Sequence, residues 1–185
     1  MPRARLLFIP LFAALLAWPG GLTASAEPAF SEYKVKAEFI ERIAEFVDWP
    51  ESAFSGPQAP FVIAIAGEDP FGRYLDEMAR TRTIKGRAIL LRHVRTGDSL
   101  GVCHLLFIAS SEYGRLSEIL ASASPGTLIL GDGEKFAKNG AQVGLYPKGG
   151  RLRFEINLGA ARKSGLVISP KILRLAVAVY GGGGV

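Results

Sequence analysis

Two histidines, His93 and His104, and one cysteine, Cys103, are the whole supply of the side chains that most often serve as base, nucleophile or soft metal ligand. Cys103 and His104 are neighbours at the mouth of an apolar run, 105–109. Successive side chains of a strand point to opposite faces, so the pair cannot close into a Cys–His dyad within that strand. Cys103 then reads as a small buried apolar residue. No H-E-x-x-H, C-x-x-C or G-x-S-x-G occurs in the chain. Metal, cofactor and nucleophilic catalysis are therefore not expected, and the chain reads as a non-enzyme.

Binding chemistry has better candidates. Gly67-Glu68-Asp69-Pro70-Phe71-Gly72 follows an apolar strand and precedes a helix, the place where an open α/β sheet receives ligands. Gly67, Asp69 and Gly72 are the residues to watch there, with Asp132 in the similar Gly131-Asp132-Gly133 turn. Acidic Glu68 and Asp69 oppose an anion, and Asp69 as helix cap with Pro70 at the first helical position explains the same residues. Arg151, Arg153, Glu155 and Asn157 recur at spacing two along one face of a strand, and Arg153 and Asn157 are candidates for a polar strip. Arg80, Arg82, Lys85 and Arg87 form a loose basic group, either a solvated loop or a docking rim. Trp49 and Phe54 flank a long loop. Trp49 beside Pro50 is either a packed helix stop or an exposed interaction anchor.

These residues need a scaffold, and the chain supplies one. Segment 32–47 reads as a helix, with Val35, Phe39, Ile43, Phe46 and Val47 on its apolar side. Ser31 can cap it, and Lys34, Lys36, Glu38, Glu41, Arg42 and Glu45 fall on the solvated side. Phe61-Val62-Ile63-Ala64-Ile65-Ala66 is apolar without alternation, as a strand buried on both faces must be. The same texture returns at 88–91, 105–109 and 127–130, with helices expected at 72–81 and 112–123. Strands alternating with helices imply right-handed crossovers and a mostly parallel sheet. Segments 142–146 and 152–157 form a hairpin through Pro147-Lys148-Gly149-Gly150, placed at the sheet edge. A short helical turn is expected at 160–163. Ser169-Pro170 opens a final helix carrying Ile172, Leu173, Leu175, Ala176 and Val179. The expected fold is α/β: a single domain with a mostly parallel central sheet flanked by helices, a C-terminal hairpin at the sheet edge and a final helix.

The ends of the 185-residue chain carry different signals. Arg3 and Arg5, the apolar run 6–18, the breaker Pro19-Gly20-Gly21 and Ala24-Ser25-Ala26 follow the order of a secretory signal peptide cleaved after Ala26. The run is too short to span a bilayer, which takes about 20 residues. Segment 27–180 is the domain and 181–185 a flexible glycine tail. Losing the two arginines of segment 1–26 lowers the net charge from +5 to +3. A small charge without a basic cluster excludes nucleic acid as a partner. A lone cysteine excludes an internal disulfide. The expected product is exported and does not cross the membrane.

The order of motifs resembles the YfiR/HmsC-like family. The residues concerned are Lys34-x-Lys36-Ala37-x-Phe39-Ile40 through Phe46-x-x-Trp49-Pro50, then Ile63-x-Ile65-x-Gly67-x-Asp69-Pro70-Phe71-Gly72. They continue with Cys103-His104-Leu105-Leu106-Phe107-Ile108 and with Arg153-Phe154-x-Ile156-Asn157-Leu158 to Ser169-Pro170-x-Ile172-Leu173. The resemblance implies a non-catalytic periplasmic regulator with a single α/β domain that tends to dimerise. Such a protein binds the periplasmic sensing domain of a membrane-anchored diguanylate cyclase, or of another inner-membrane sensor, and keeps cyclic di-GMP and biofilm formation low. Redox-sensitive relatives use cysteine pairs, of which only Cys103 is present here. An intermolecular Cys103 bond would need that residue exposed. The expected docking surface is the corner Asp48-Trp49-Pro50 together with Phe71. The other expectation is a small-molecule receptor with its pocket at the strand ends, feeding a membrane sensor.

Overall fold

A computed structural model describes residues 32–95 and 97–182. The export signal 1–26, the Ser31 cap and tail residues 183–185 lie outside the described residues. In chain order the elements are α1 (Glu32–Glu45), β1 (Val47–Asp48), a 3-10 turn (Glu51–Ala53), β2 (Phe61–Ala66), α2 (Arg73–Thr81), β3 (Thr83–Ile84), β4 (Arg87–Val94) and β5 (Leu105–Ile108). A 3-10 segment (Ser110–Arg115) leads into α3 (Leu116–Ser122). Then come β6 (Leu128–Asp132), β7 (Val143–Lys148), β8 (Arg151–Asn157), α4 (Leu158–Lys163), β9 (Val167–Ile168), α5 (Pro170–Leu173) and β10 (Ala178–Tyr180).

Eight strands form one sheet in the order β10-β8-β7-β6-β5-β2-β4-β3, and β1 pairs with β9 in a separate two-stranded ribbon. β4, β2, β5, β6 and β7 are mutually parallel. Numbered by their appearance in the chain, those five run 2-1-3-4-5, so the winding reverses between β2 and β5. The continuous apolar strands are explained by what covers them. Ile63, Ile65, Leu105, Phe107, Leu128 and Leu130 face a core built with α1, α2, α4 and α5. Ala64, Ala66, Leu106, Ile108 and Ile129 face a second core under α3. A strand covered on both sides has no solvated face on which to place polar residues.

The expected class holds, with three differences in detail. The final helix stops at Leu173, and the chain then lays down β10 parallel to β8. The hairpin β7–β8 thus has one more strand outside it, begun by the bond from Val177 N–H to the Phe154 carbonyl at 2.9 Å. β-Branched Val177 and Val179, beside Tyr180, suit a pleated edge better than a second helical turn. The second difference concerns α1, whose buried residues are Lys36, Ala37, Ile40, Ile43 and Ala44. Lys36, expected in solvent, is buried. Third, the ribbon β1–β9 ties the end of α1 to the segment before α5 through two residue pairs, Val47–Ile168 and Asp48–Val167. Two-residue strands are too short to leave a periodic signal.

Candidate functional site: the Trp49 corner

The chain leaves β1 at Asp48, turns at Trp49-Pro50 and runs through the 3-10 turn before entering β2. The corner is fastened to the sheet by His104, which immediately precedes β5. Trp49 Nε1 donates to the His104 carbonyl at 3.2 Å, and the indole meets the Phe61 ring edge-on at 5.1 Å. The His104 imidazole accepts from Val62 N–H at Nδ1, 2.9 Å, and its Nε2 lies 3.0 Å from the Ala53 carbonyl. Those two partners fix the tautomer: hydrogen on Nε2, lone pair on Nδ1. Phe54 stacks on the same ring at 4.2 Å, and the Arg87 guanidinium lies over the Phe54 ring at 4.0 Å. Arg87 also donates to the carbonyls of Gly56, Pro57 and Ala59. Burial, with Arg87 nearby, holds the His104 imidazole below the ordinary histidine range, against the opposing pull of the Ala53 bond.

Around these aromatics lies an open cleft of about 590 Å³, lined by Asp48, Trp49, Glu51, Phe54, Lys85 and Arg87 among others. Trp49 is half-buried and bonded on one side and borders the cleft on the other. Asp48 is the most exposed of the corner residues, its carboxylate 3.3 Å from Lys85 Nζ. Pro50 is half-buried and starts the 3-10 turn without lining the cleft. Within the basic group of the sequence, Arg82 pairs with Glu41, while Lys85 holds the Glu45 carbonyl and Asp48.

Phe71 is not part of this surface, and the expectation that it docks a partner is corrected. Its side chain is 1% exposed, set edge-on to Phe107 at 4.6 Å and to Tyr33 at 5.7 Å. An aromatic following Asp69-Pro70 has the core directly beneath it. The cap assignment is also revised. Asp69 Oδ1 accepts from Phe71 N–H at 2.8 Å, but α2 begins at Arg73 with Gly72 in the cap position. Asp69 thus closes the turn that precedes the helix.

The residues expected to bind a small molecule do not assemble into one site. Gly67 lines a separate cleft of about 230 Å³ at the carboxyl ends of β2 and β4, together with Arg95, Asp98, Ser99, Arg115 and Glu118. A side chain at Gly67 would meet Glu112 Cγ at 2.6 Å, so glycine there lets the segment after β5 close in. Asp132 sits at the same end of the sheet but is occupied. Lys36 Nζ bonds its Oδ1 and also bonds Glu32, while Tyr33 OH donates to its Oδ2 at 3.2 Å. Burial first, and then the Asp132 charge, push the Tyr33 phenol up to about 12. Arg153 is exposed on β8. Asn157 caps α4, accepting from Ala160 N–H at 2.9 Å and donating to the Ala137 carbonyl at 2.9 Å. Since β8 runs antiparallel to β7, Asn157 lies at the end of the sheet opposite Asp132.

A sequence profile described as YfiR/HmsC-like matches residues 33–177. The chain belongs to the YfiR/HmsC-like family. Members of the YfiR/HmsC-like family are periplasmic and regulatory rather than catalytic. Nothing among curated proteins matches. Among solved structures, the chain is similar to a conserved domain protein from Vibrio cholerae O1 biovar El Tor strain N16961, at 14% identity and a TM-score of 0.53. The match covers 80% of this chain and 60% of the Vibrio protein, which establishes the shared fold.

The YfiR/HmsC-like motifs acquire structural duties here. Lys36 of the first motif is the buried lysine held by Asp132, and Trp49-Pro50 of the same motif makes the corner. In Cys103-His104 the two side chains part as the strand period requires: Cys103 enters the α3 core and His104 the corner. Burial raises the Cys103 thiol above its ordinary value, and its 5% exposure leaves no surface sulfur for an intermolecular bond. His93 is exposed, with Asp69 as its carboxylate contact at 3.7 Å. No group of three or more potential metal ligands occurs among the described residues, and no helix among them is long and apolar enough to cross a membrane.

Sequence reasoning missed two members of this arrangement. Lys36 falls on the stripe completed by Ile40, Ile43 and Val47, spacing that was available in the sequence. His104 as the fastening of the corner left no sequence signal, because Val62 and Ala53 contribute only backbone atoms.

Proposed function

We propose that this protein is a non-catalytic periplasmic regulator that restrains a membrane-anchored diguanylate cyclase, or another inner-membrane sensor, by binding its periplasmic sensing domain. The observation that carries the reading is the YfiR/HmsC-like match across residues 33–177. The Trp49 corner, with Asp48 and Pro50, is the docking surface that suits it best: an aromatic held rigid from behind and ringed by charges. Residues 1–26 act as the export signal, cleaved after Ala26, and the mature domain works in the periplasm as a monomer or a homodimer. Restraint comes from tighter binding to the partner's inactive state than to its active one.

The test is reconstitution. A cyclase that co-purifies with the tagged chain from membranes of the source organism is returned to vesicles with its periplasmic domain accessible. Added chain should lower cyclic di-GMP synthesis to a saturable floor, and Trp49→Ala should need a higher concentration to reach it. Synthesis unaffected by saturating chain defeats the reading.

The cleft beside Gly67 favours a second reading, a small-molecule receptor feeding a membrane sensor. A ligand specific to the native state raises the melting temperature as its concentration rises. Of the residues nominated for this role, Gly67 borders the cleft and Asp69 and Gly72 follow it in the same loop. A screen that leaves the melting temperature unmoved removes this reading.

A further inference from the structure

We propose that the free edge strand β10 takes up an extended, acidic segment of a partner polypeptide, which adds to the main sheet as a further strand. Four strands separate this edge from β2, so the inference stands independently of the Trp49 corner. Charge is spread unevenly along the chain. Residues 27–147 hold three more acids than bases, whereas residues 148–180 hold seven bases and a single acid, Glu155. Arg151, Arg153, Arg162, Lys163, Lys171 and Arg174 are exposed and make no ion pair among the described residues. Glu155 is engaged by Tyr146, whose hydroxyl donates to its Oε1 at 3.4 Å. The six bases come from the elements nearest β10. Two lie on β8, which pairs with it, two on α4, which packs against it, and two on α5 and its end, which lead into it.

The edge itself is unguarded. Leu175-Ala176-Val177-Ala178-Val179-Tyr180 contains no charge and no proline, the usual devices that stop an edge from pairing. No strand lies beyond β10 among the described residues. Val177 N–H is bonded inward to the Phe154 carbonyl. Bonding alternates along a strand, so Ala178 and Tyr180 turn their N–H and C=O groups outward. Leu175, Val177 and Val179 are 68%, 49% and 41% exposed. The two valines lie on the Ile156 face of the sheet, and Leu175 borders an open groove of about 690 Å³ with Phe39, Leu152 and Phe154. Arg153 lies on the other face, with Ala178 and Tyr180. An added strand thus meets apolar groups with one row of side chains and a guanidinium with the other. Alternating apolar and acidic residues suit it.

Two other occupants fit less well. A second copy would bring two unpaired basic surfaces together, and like charges across an interface repel. An anionic lipid surface would answer the charges, but lipid gives the outward N–H groups of Ala178 and Tyr180 no backbone partner. A strand supplies both.

The probe is an acetylated peptide of alternating valine and glutamate, titrated into the purified chain while binding and amide exchange are followed together. Saturable binding should protect the Ala178 and Tyr180 amides and weaken steeply with added salt. Reversing two charges, with Arg153→Glu and Arg174→Glu together, should raise the Kd about tenfold. Two control peptides should not bind: one with lysine in place of glutamate, and one N-methylated throughout, which has no N–H to give. Equal binding of either control, protection that misses Ala178 and Tyr180, or no saturable binding at all overturns the proposal. Two further measurements use the chain alone. Self-association that Val179→Lys abolishes would give the edge to a second copy. Sedimentation with phosphatidylglycerol vesicles that the charge reversal abolishes would give it to a membrane. Either result overturns the acidic strand as occupant and leaves the Trp49 corner untouched.

Discussion

Lys36 on α1 and Asp132 at the end of β6, 96 positions apart in the sequence, form an ion pair whose side chains are 1% and 4% exposed. The pair joins the first helix to a core strand, and Glu32 and Tyr33 complete its hydrogen bonds. Taking both charges out of water costs nearly what their attraction returns, so the intact pair adds little to stability. Its loss is another matter. Lys36→Met strands a buried carboxylate and should destabilise the chain by about 3–5 kcal/mol in urea titration. Adding Asp132→Leu should recover most of that loss. A double variant no better than the single one would show that the pair does not act as a unit.

Tyr33 predicts the alkaline limb of stability. Its folded pKa of about 12 stands above the unfolded value of 10, so the folded state holds the proton longer. The contribution is whole below pH 10 and drains away as pH rises from 10 toward 12. Melting temperature should fall across that interval, and Tyr33→Phe should flatten the fall. Tyr146 and Tyr180, also raised chiefly by burial, leave a residual slope. An unchanged slope in Tyr33→Phe would assign the effect to those two.

The parallel core was legible because its strands are buried on both faces and say so in unbroken apolar runs, as in Phe61–Ala66. The Trp49 corner was legible as a composition but not as a structure. Trp49 and Phe54 could be seen to flank a loop, whereas their fastening runs through backbone atoms of Ala53, Val62 and His104, which every residue type possesses. Lys36 was misplaced because charge outweighed position in a helix whose stripe it shares. The nominated ligand residues failed to meet for a topological reason: β8 reverses direction, carrying Asn157 to the far end of the sheet from Asp132. Nothing in the spacing of Arg153 and Asn157 reveals which way their strand runs. Phe71 looked like a loop residue and is core, since a tight turn closed by Asp69 points it inward.

Gly131 predicts a packing limit in the second core. A side chain there would lie 2.0 Å from Phe136 Cδ1, and Phe136 in turn meets Tyr113 edge-on at 4.9 Å. Gly131→Ala should therefore cost about 1–3 kcal/mol in chemical denaturation, the usual penalty of overpacking. Phe136→Leu alone should also destabilise, by removing the ring. Combined, the two should cost less than their sum, because the shortened side chain leaves room for the methyl. Strict additivity would mean that the collision is relieved elsewhere.

Asp48 separates docking from folding more cleanly than Trp49 does. Removing the indole costs a hydrogen bond of about 1 kcal/mol as well as its packing on Phe61, so a weakened Trp49→Ala protein could be poorly folded rather than poorly complementary. The Asp48 side chain is 79% exposed and its contact with Lys85 is a surface pair, worth at most about 1 kcal/mol. Asp48→Ala should leave the melting temperature within about 4 °C of wild type for a domain of this size. It should still raise the Kd for the cyclase's periplasmic domain severalfold, with a salt dependence shallower than that of wild type, because a rim charge acts through screened attraction. Unchanged affinity in Asp48→Ala, with Trp49→Phe also binding normally, would move the docking surface away from this corner while leaving the fold argument untouched.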